Sequence, residues 1–177
     1  MIAAMLGTVL AFAGLPQDVE AMSVRPMSEA EAVSEFENAC VVGIRDAATV
    51  SNSVSHSARG YVEGRAAAFG GGTTRNWSSP YGSLQYIDRT AGAGRKAFRE
   101  CSFTAFTADR VNRRVLTDAL DAMAGRRAPA RYMPVDDGKA MGWIWRDGDG
   151  RRVAVYSVAD TRTPHQITLS IQSEDAY

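Results

Sequence analysis

Residues 141–172 read MGWIWRDGDGRRVAVYSVADTRTPHQITLSIQ, and this stretch decides the fold. Three runs, Met141–Arg146, Arg152–Val158 and Gln166–Gln172, are strand candidates. Asp147-Gly148-Asp149-Gly150 joins the first two, and Asp and Gly tolerate the positive φ that a tight hairpin needs. Strands joined by so short a connection can pair only antiparallel, because a parallel pair needs a long crossover.

Upstream, Ala97–Thr107 predicts another strand, with Cys101, Phe103 and Ala105 alternating against Glu100, Ser102 and Thr104. A helix follows, capped by Asp109 or Thr107, with Val111, Val115, Leu116, Ala119, Leu120 and Met123 as its apolar face and Gly125 as its stop. Arg126–Lys139, with Pro129 and Pro134, reads as a loop. Trp77 and Leu84–Ile87 mark two short strands around a Pro80-Tyr81-Gly82 turn, and Gly60–Gly72 reads as a loosened connection. Near the front, Ser28 and Glu31 form a capping box, and Val33, Phe36, Cys40 and Ile44 recur at three- and four-residue steps, with Gly43 ending or bending that helix. Asp46–Arg59 is read as a second helix, on the spacing of Val50, Val54, Ala58 and Tyr61. Strands and helices do not alternate strictly. The expectation is therefore α+β: a two-layer domain, with an antiparallel sheet of five or six strands and two or three helices packed on one face.

The apolar run Ile2–Leu15 is too short to span a bilayer but suits the hydrophobic region of a signal peptide. Val19 and Ala21 supply the small residues that signal peptidase needs, so cleavage after Ala21 is expected, leaving 22–177 as a single domain with no membrane span. The protein is then expected in the periplasm or secreted. The chain has 177 residues, with 20 basic and 20 acidic side chains. Losing Asp18 and Glu20 with the leader leaves 20 basic against 18 acidic, which is too small an excess for a nucleic-acid coat. At 45% hydrophobic residues the chain is not disordered, and its length fits one ordinary domain. The sequence sets no oligomeric state.

Few residues carry chemistry. Cys40 and Cys101 each lie on the inner face of their element, and an oxidising compartment would join them and tie the first helix to the sheet. The two histidines, His56 and His165, leave one enzymatic alternative, a small periplasmic hydrolase using either of them with a Ser and with Asp46 or Asp160. The Gly-x-Ser-x-Gly and Ser-x-x-Lys patterns are missing from the sequence, so no catalytic residue is assigned. Neither cysteine nor histidine spacing suits a metal, and Gly70-Gly71-Gly72 lacks the Lys-Ser/Thr of a phosphate loop, so no metal site or cofactor is expected.

Two surface features remain. Arg95, Lys96, Arg99, Arg110, Arg113 and Arg114 concentrate positive charge in mid-chain, extended by Arg126, Arg127 and Arg131. This region is a candidate for a protein or an anionic envelope component, unless the acidic first helix lies beside it and neutralises it. Trp143 and Trp145 share one side of their strand, as core under a helix or, on an open face, as an aromatic platform. The expected function is a small exported domain that binds and does not catalyse.

Overall fold

The computed structural model describes residues 23–69, 72–89, 97–127, 131–135, 140–146, 152–158 and 162–174. The expected leader, Arg95, Lys96, Asp160 and the Asp147–Gly150 turn lie outside the described residues.

Helix α1 spans Glu29–Phe36 and continues through a π turn, Glu37–Val41. Both arms of the expected capping box are formed: the Ser28 hydroxyl accepts from the Glu31 N–H, and the Glu31 carboxylate accepts from the Ser28 N–H. Helix α2, Ala47–Ser55, starts at Asp46, whose carboxylate accepts the Thr49 N–H at 2.7 Å. Gly43 lies where the two helical segments meet. A Cβ there would stand 2.6 Å from a Val50 methyl carbon, so the glycine permits α2 to pack close.

Among the described residues there are nine strands, all paired antiparallel. They are β1 Val62–Glu63, β2 Ala67–Phe69, β3 Gly72–Ser79, β4 Gly82–Arg89, β5 Phe98–Phe106, β6 Arg131–Val135, β7 Ala140–Arg146, β8 Arg152–Val158 and β9 Gln166–Glu174. Helix α3, Arg113–Gly125, comes between β5 and β6. The order across the sheet is β1-β3-β4-β5-β9-β8-β7-β6, with β2 also on β3. Two meanders, β3–β5 and β6–β9, are thus joined where β5 pairs with β9.

The α+β architecture is as expected, with more strands than the five or six read from the sequence. Two of the additions, β1 and β2, are two and three residues long, within the Gly60–Gly72 connection. The third, β6, corrects the loop expected at Arg126–Lys139. It holds Pro134, which a sheet tolerates because β6 is an edge strand paired only with β7. A further correction concerns α3. Asn112 caps it, accepting the Arg114 and Val115 N–H groups, whereas the Thr107 hydroxyl donates to the carbonyls of Asp109 and His165. The buried stripe is Leu116, Leu120, Met123 and Ala124, with Val111 ahead of the helix and Val115 41% exposed.

The core lies between one face of the sheet and the helices. Across it runs a register row of Tyr86, Cys101, Ile171, Val155 and Trp143, beside a second of Trp77, Leu84, Phe103 and Leu169, all buried. The disulfide between Cys40 and Cys101, with Cα atoms 5.3 Å apart, fastens the π turn to the middle of β5. Both cysteines are fully buried.

Two predictions follow from these anchors. Replacing both cysteines by alanine frees a loop of 61 residues, which should cost about 4 kcal/mol in the loop-entropy picture and lower the urea midpoint, whereas an unchanged midpoint would refute this role. Asp46→Ala should cost about 1 kcal/mol through loss of the helix cap. Hydrogen bonding from the Thr49 N–H holds the Asp46 carboxyl below its ordinary value of 3.8, so its contribution is present above that pH and lost as acid protonates it. The gap between wild type and variant in thermal melts should therefore narrow below about pH 4.

Candidate functional site

Three exposed arginines gather at one end of the sheet. Strand β3 ends there in the Ser79–Gly82 hairpin, β5 ends there at Phe106, and β9 begins there at Gln166. Gly82 is required at this hairpin, because a Cβ would collide with the carbonyl oxygen of Thr104. The chain before α1 crosses the same end: the Arg25 N–H donates to the Pro80 carbonyl at 2.7 Å and the Met27 N–H to that of Phe106 at 2.8 Å. The Thr107 N–H bonds His165, and the Val111 N–H bonds Pro164, tying the segment before α3 to the turn before β9.

Arg110, Arg113 and Arg114 stand exposed on this rim. Among the described residues none of the three has an ion pair, and Asp118, one helical turn from Arg114, is not within salt-bridge range. Arg113 and Arg114 occupy the first turn of α3, which holds no acidic residue. Positive side chains at the positive end of a helix dipole cost a few tenths to about 1 kcal/mol each. The cap relieves part of this, as does the Glu29 carboxylate, which accepts the Asn112 N–H at 2.6 Å. Helix α1 follows the opposite and favourable pattern, with Glu29 and Glu31 in its first turn.

The basic region read from the sequence is thus divided by the fold. Arg99 lies at the other end of β5, about 23 Å from Phe106 at the rise of a strand. It faces Asp88 at 3.6 Å. Arg95 and Lys96 are outside the described residues. Neutralisation by the first helix is partial: Glu37 pairs with Arg126 and Arg127, holding the ends of the helical segments together. Glu31 and Glu35 pair instead with Arg59, whose guanidinium lies 4.8 Å from the centre of the Tyr81 ring. Burial and the neighbouring Glu35 push the Tyr61 hydroxyl far above its ordinary pKa, which keeps it neutral.

Trp143 and Trp145 belong to the core, at 2% and 6% exposure, and this corrects the exposed-platform alternative. The Trp143 indole N–H donates to Asp121 of α3 at 2.7 Å. The side of the strand was legible, but whether a helix covered it depended on tertiary packing.

His56 follows the last residue of α2, with Nδ1 on the Asn52 carbonyl at 2.8 Å and 3.3 Å from the Ser55 hydroxyl. Asp46 is at the other end of that helix, engaged as its cap. His165 is exposed in the turn before β9. Neither histidine meets a hydroxyl–carboxylate pair among the described residues.

The uncovered sheet face is rich in hydroxyl and amide groups. Many of them bond each other: Ser102 with Ser170 at 2.9 Å, Gln85 with Asn76 at 3.0 Å, and Gln172 with Glu100 at 3.2 Å. A shallow groove of about 310 Å³ runs over Asn76, Ser83 and Ser102. A second hollow of about 310 Å³ lies between Pro26–Glu29 and Thr107–Asp109, with Glu29 and Asp109 on its walls.

No family model, curated protein or solved structure matches this chain. The functional reading therefore comes from the site itself.

Asp121→Ala tests whether the Trp143 contact anchors α3 to the sheet. Leaving the indole N–H without this acceptor should cost about 1 to 2 kcal/mol. A lower melting temperature and altered tryptophan fluorescence are expected, and wild-type values for both would refute the anchoring role.

Proposed function

We propose that the chain is an exported domain of the periplasm or cell envelope that acts by binding a protein or an anionic envelope component. The observation that carries the reading is the disulfide Cys40–Cys101, closed between the two layers of the core. Such bonds form and persist in oxidising compartments and are rare where glutathione and thioredoxin keep thiols reduced. No helix among the described residues is long and apolar enough to cross a membrane. Binding is favoured over hydrolysis because both histidines are exposed and the His56 ring is engaged only within its own helix, whereas the arginines of the α3 rim are spread over surface that a partner can reach.

The test is to express the full chain with a C-terminal tag in a bacterium, fractionate the cells and determine the N-terminus by mass spectrometry. Recovery outside the cytoplasm, a start at Met22 and no alkylatable thiol are the expected results. An intact Met1 on a cytoplasmic protein with two reactive thiols would overturn the reading.

A further inference from the structure

We propose that the rim bearing Arg110, Arg113 and Arg114 docks onto an anionic lipid surface, the arginines meeting headgroup phosphates while Phe106, Val115 and Val24 enter the headgroup boundary. The proposal rests on the binding reading above and names its partner.

Three independent observations meet at this end of the molecule. The first is electrostatic: three exposed arginines without an ion pair among the described residues, two of them in the first turn of a helix where the dipole disfavours them. A local rule broken and only partly compensated, by the Asn112 cap and Glu29, is the mark of a working surface. The second is apolar exposure. Of the five large hydrophobic side chains exposed among the described residues, Val24, Phe106 and Val115 lie on this rim and Val62 faces Ser78, one residue from the hairpin. Val42, at the far end of the first helical segment, is the exception. The third is rigidity. The rim is laced by backbone hydrogen bonds among Arg25, Pro80, Met27, Phe106, Thr107, His165, Val111 and Pro164, so it is presented as one firm edge.

Charge alone would suit any polyanion. The apolar side chains decide between them. Beside a nucleic-acid backbone or an acidic protein surface, exposed Phe106 and Val115 gain little, whereas a membrane offers phosphates and apolar chains within one side-chain length. The carboxylates at this end do not reverse the field: Glu29 is held by the α3 N-terminus and Glu31 by its capping box and Arg59, leaving Asp109 beside Arg110.

The experiment is co-sedimentation of the exported protein with vesicles of phosphatidylcholine, with or without about 30% phosphatidylglycerol. Binding to the anionic vesicles alone is expected, weakening strongly between about 0.1 M and 1 M salt. Each Arg→Gln change at 110, 113 or 114 should weaken it about fivefold, and all three together about a hundredfold. Phe106→Ser with Val115→Ser should also weaken it, whereas Arg75→Gln, on β3 and paired with Glu63, should not. The changed side chains are exposed, and thermal melts confirm that each variant folds. Equal binding to both vesicle types, or wild-type binding by the triple variant, overturns the proposal. So does capture by soluble polyglutamate or duplex DNA without vesicle binding, which would assign an acidic macromolecule. A cytoplasmic, reduced protein sinks the export reading whatever the vesicles show. An exported, oxidised protein that ignores anionic vesicles sinks only this proposal.

Discussion

Cys101 stands where three constraints cross. It pairs with Tyr86 of one meander and Ile171 of the other, on the strand that makes the sheet continuous. Its sulfur also closes the disulfide to the π turn, which fixes the helical layer over that seam. The β5–β9 ladder supplies directional hydrogen bonds within the layer, and the disulfide limits how far the layers can part. Helix α1, α3 and the row from Tyr86 to Trp143 are packed around this junction, and the surface features take their positions from it.

How much of this the sequence could disclose depended on how local the determining physics was. The capping box at Ser28 and Glu31, the Pro80–Tyr81 hairpin and the alternation of Cys101, Phe103 and Ala105 are set by neighbours within a few residues. All were legible. The failures were of another kind. Strand β6 contains Pro134, a local signal against a strand, and it exists because an edge position leaves one side of its backbone unpaired. Asn112 replaced Asp109 and Thr107 as the cap because Thr107 is drawn to the turn before β9, a contact across 58 residues of chain.

The site was legible only in part, for the same reason. Sequence proximity placed Arg99 with Arg110, Arg113 and Arg114, but an extended strand carries a chain through a domain in a handful of residues. Arg99 therefore ends beside Asp88 at the opposite edge. The tryptophans show the converse: alternation put both on one side, yet only the docking of α3, with Asp121 reaching the indole N–H, made that side interior. Val24, Phe106 and Val115 are far apart in sequence, and no linear pattern marks them as one edge.

That convergence bears on why the unfavourable charges persist. A carboxylate in the first turn of α3 would complement its dipole, as Glu29 and Glu31 do for α1, so the fold gains nothing from Arg113 and Arg114 there. The stabilising elements lie elsewhere in the molecule: the core has two long rows of buried side chains, and the disulfide limits the freedom of the unfolded chain. The backbone segments on either side of those arginines are held in place by bonds to Pro80, Phe106, His165 and Pro164. The backbone bonds that tie this edge together leave little loop freedom to be lost when it meets a surface of opposite charge.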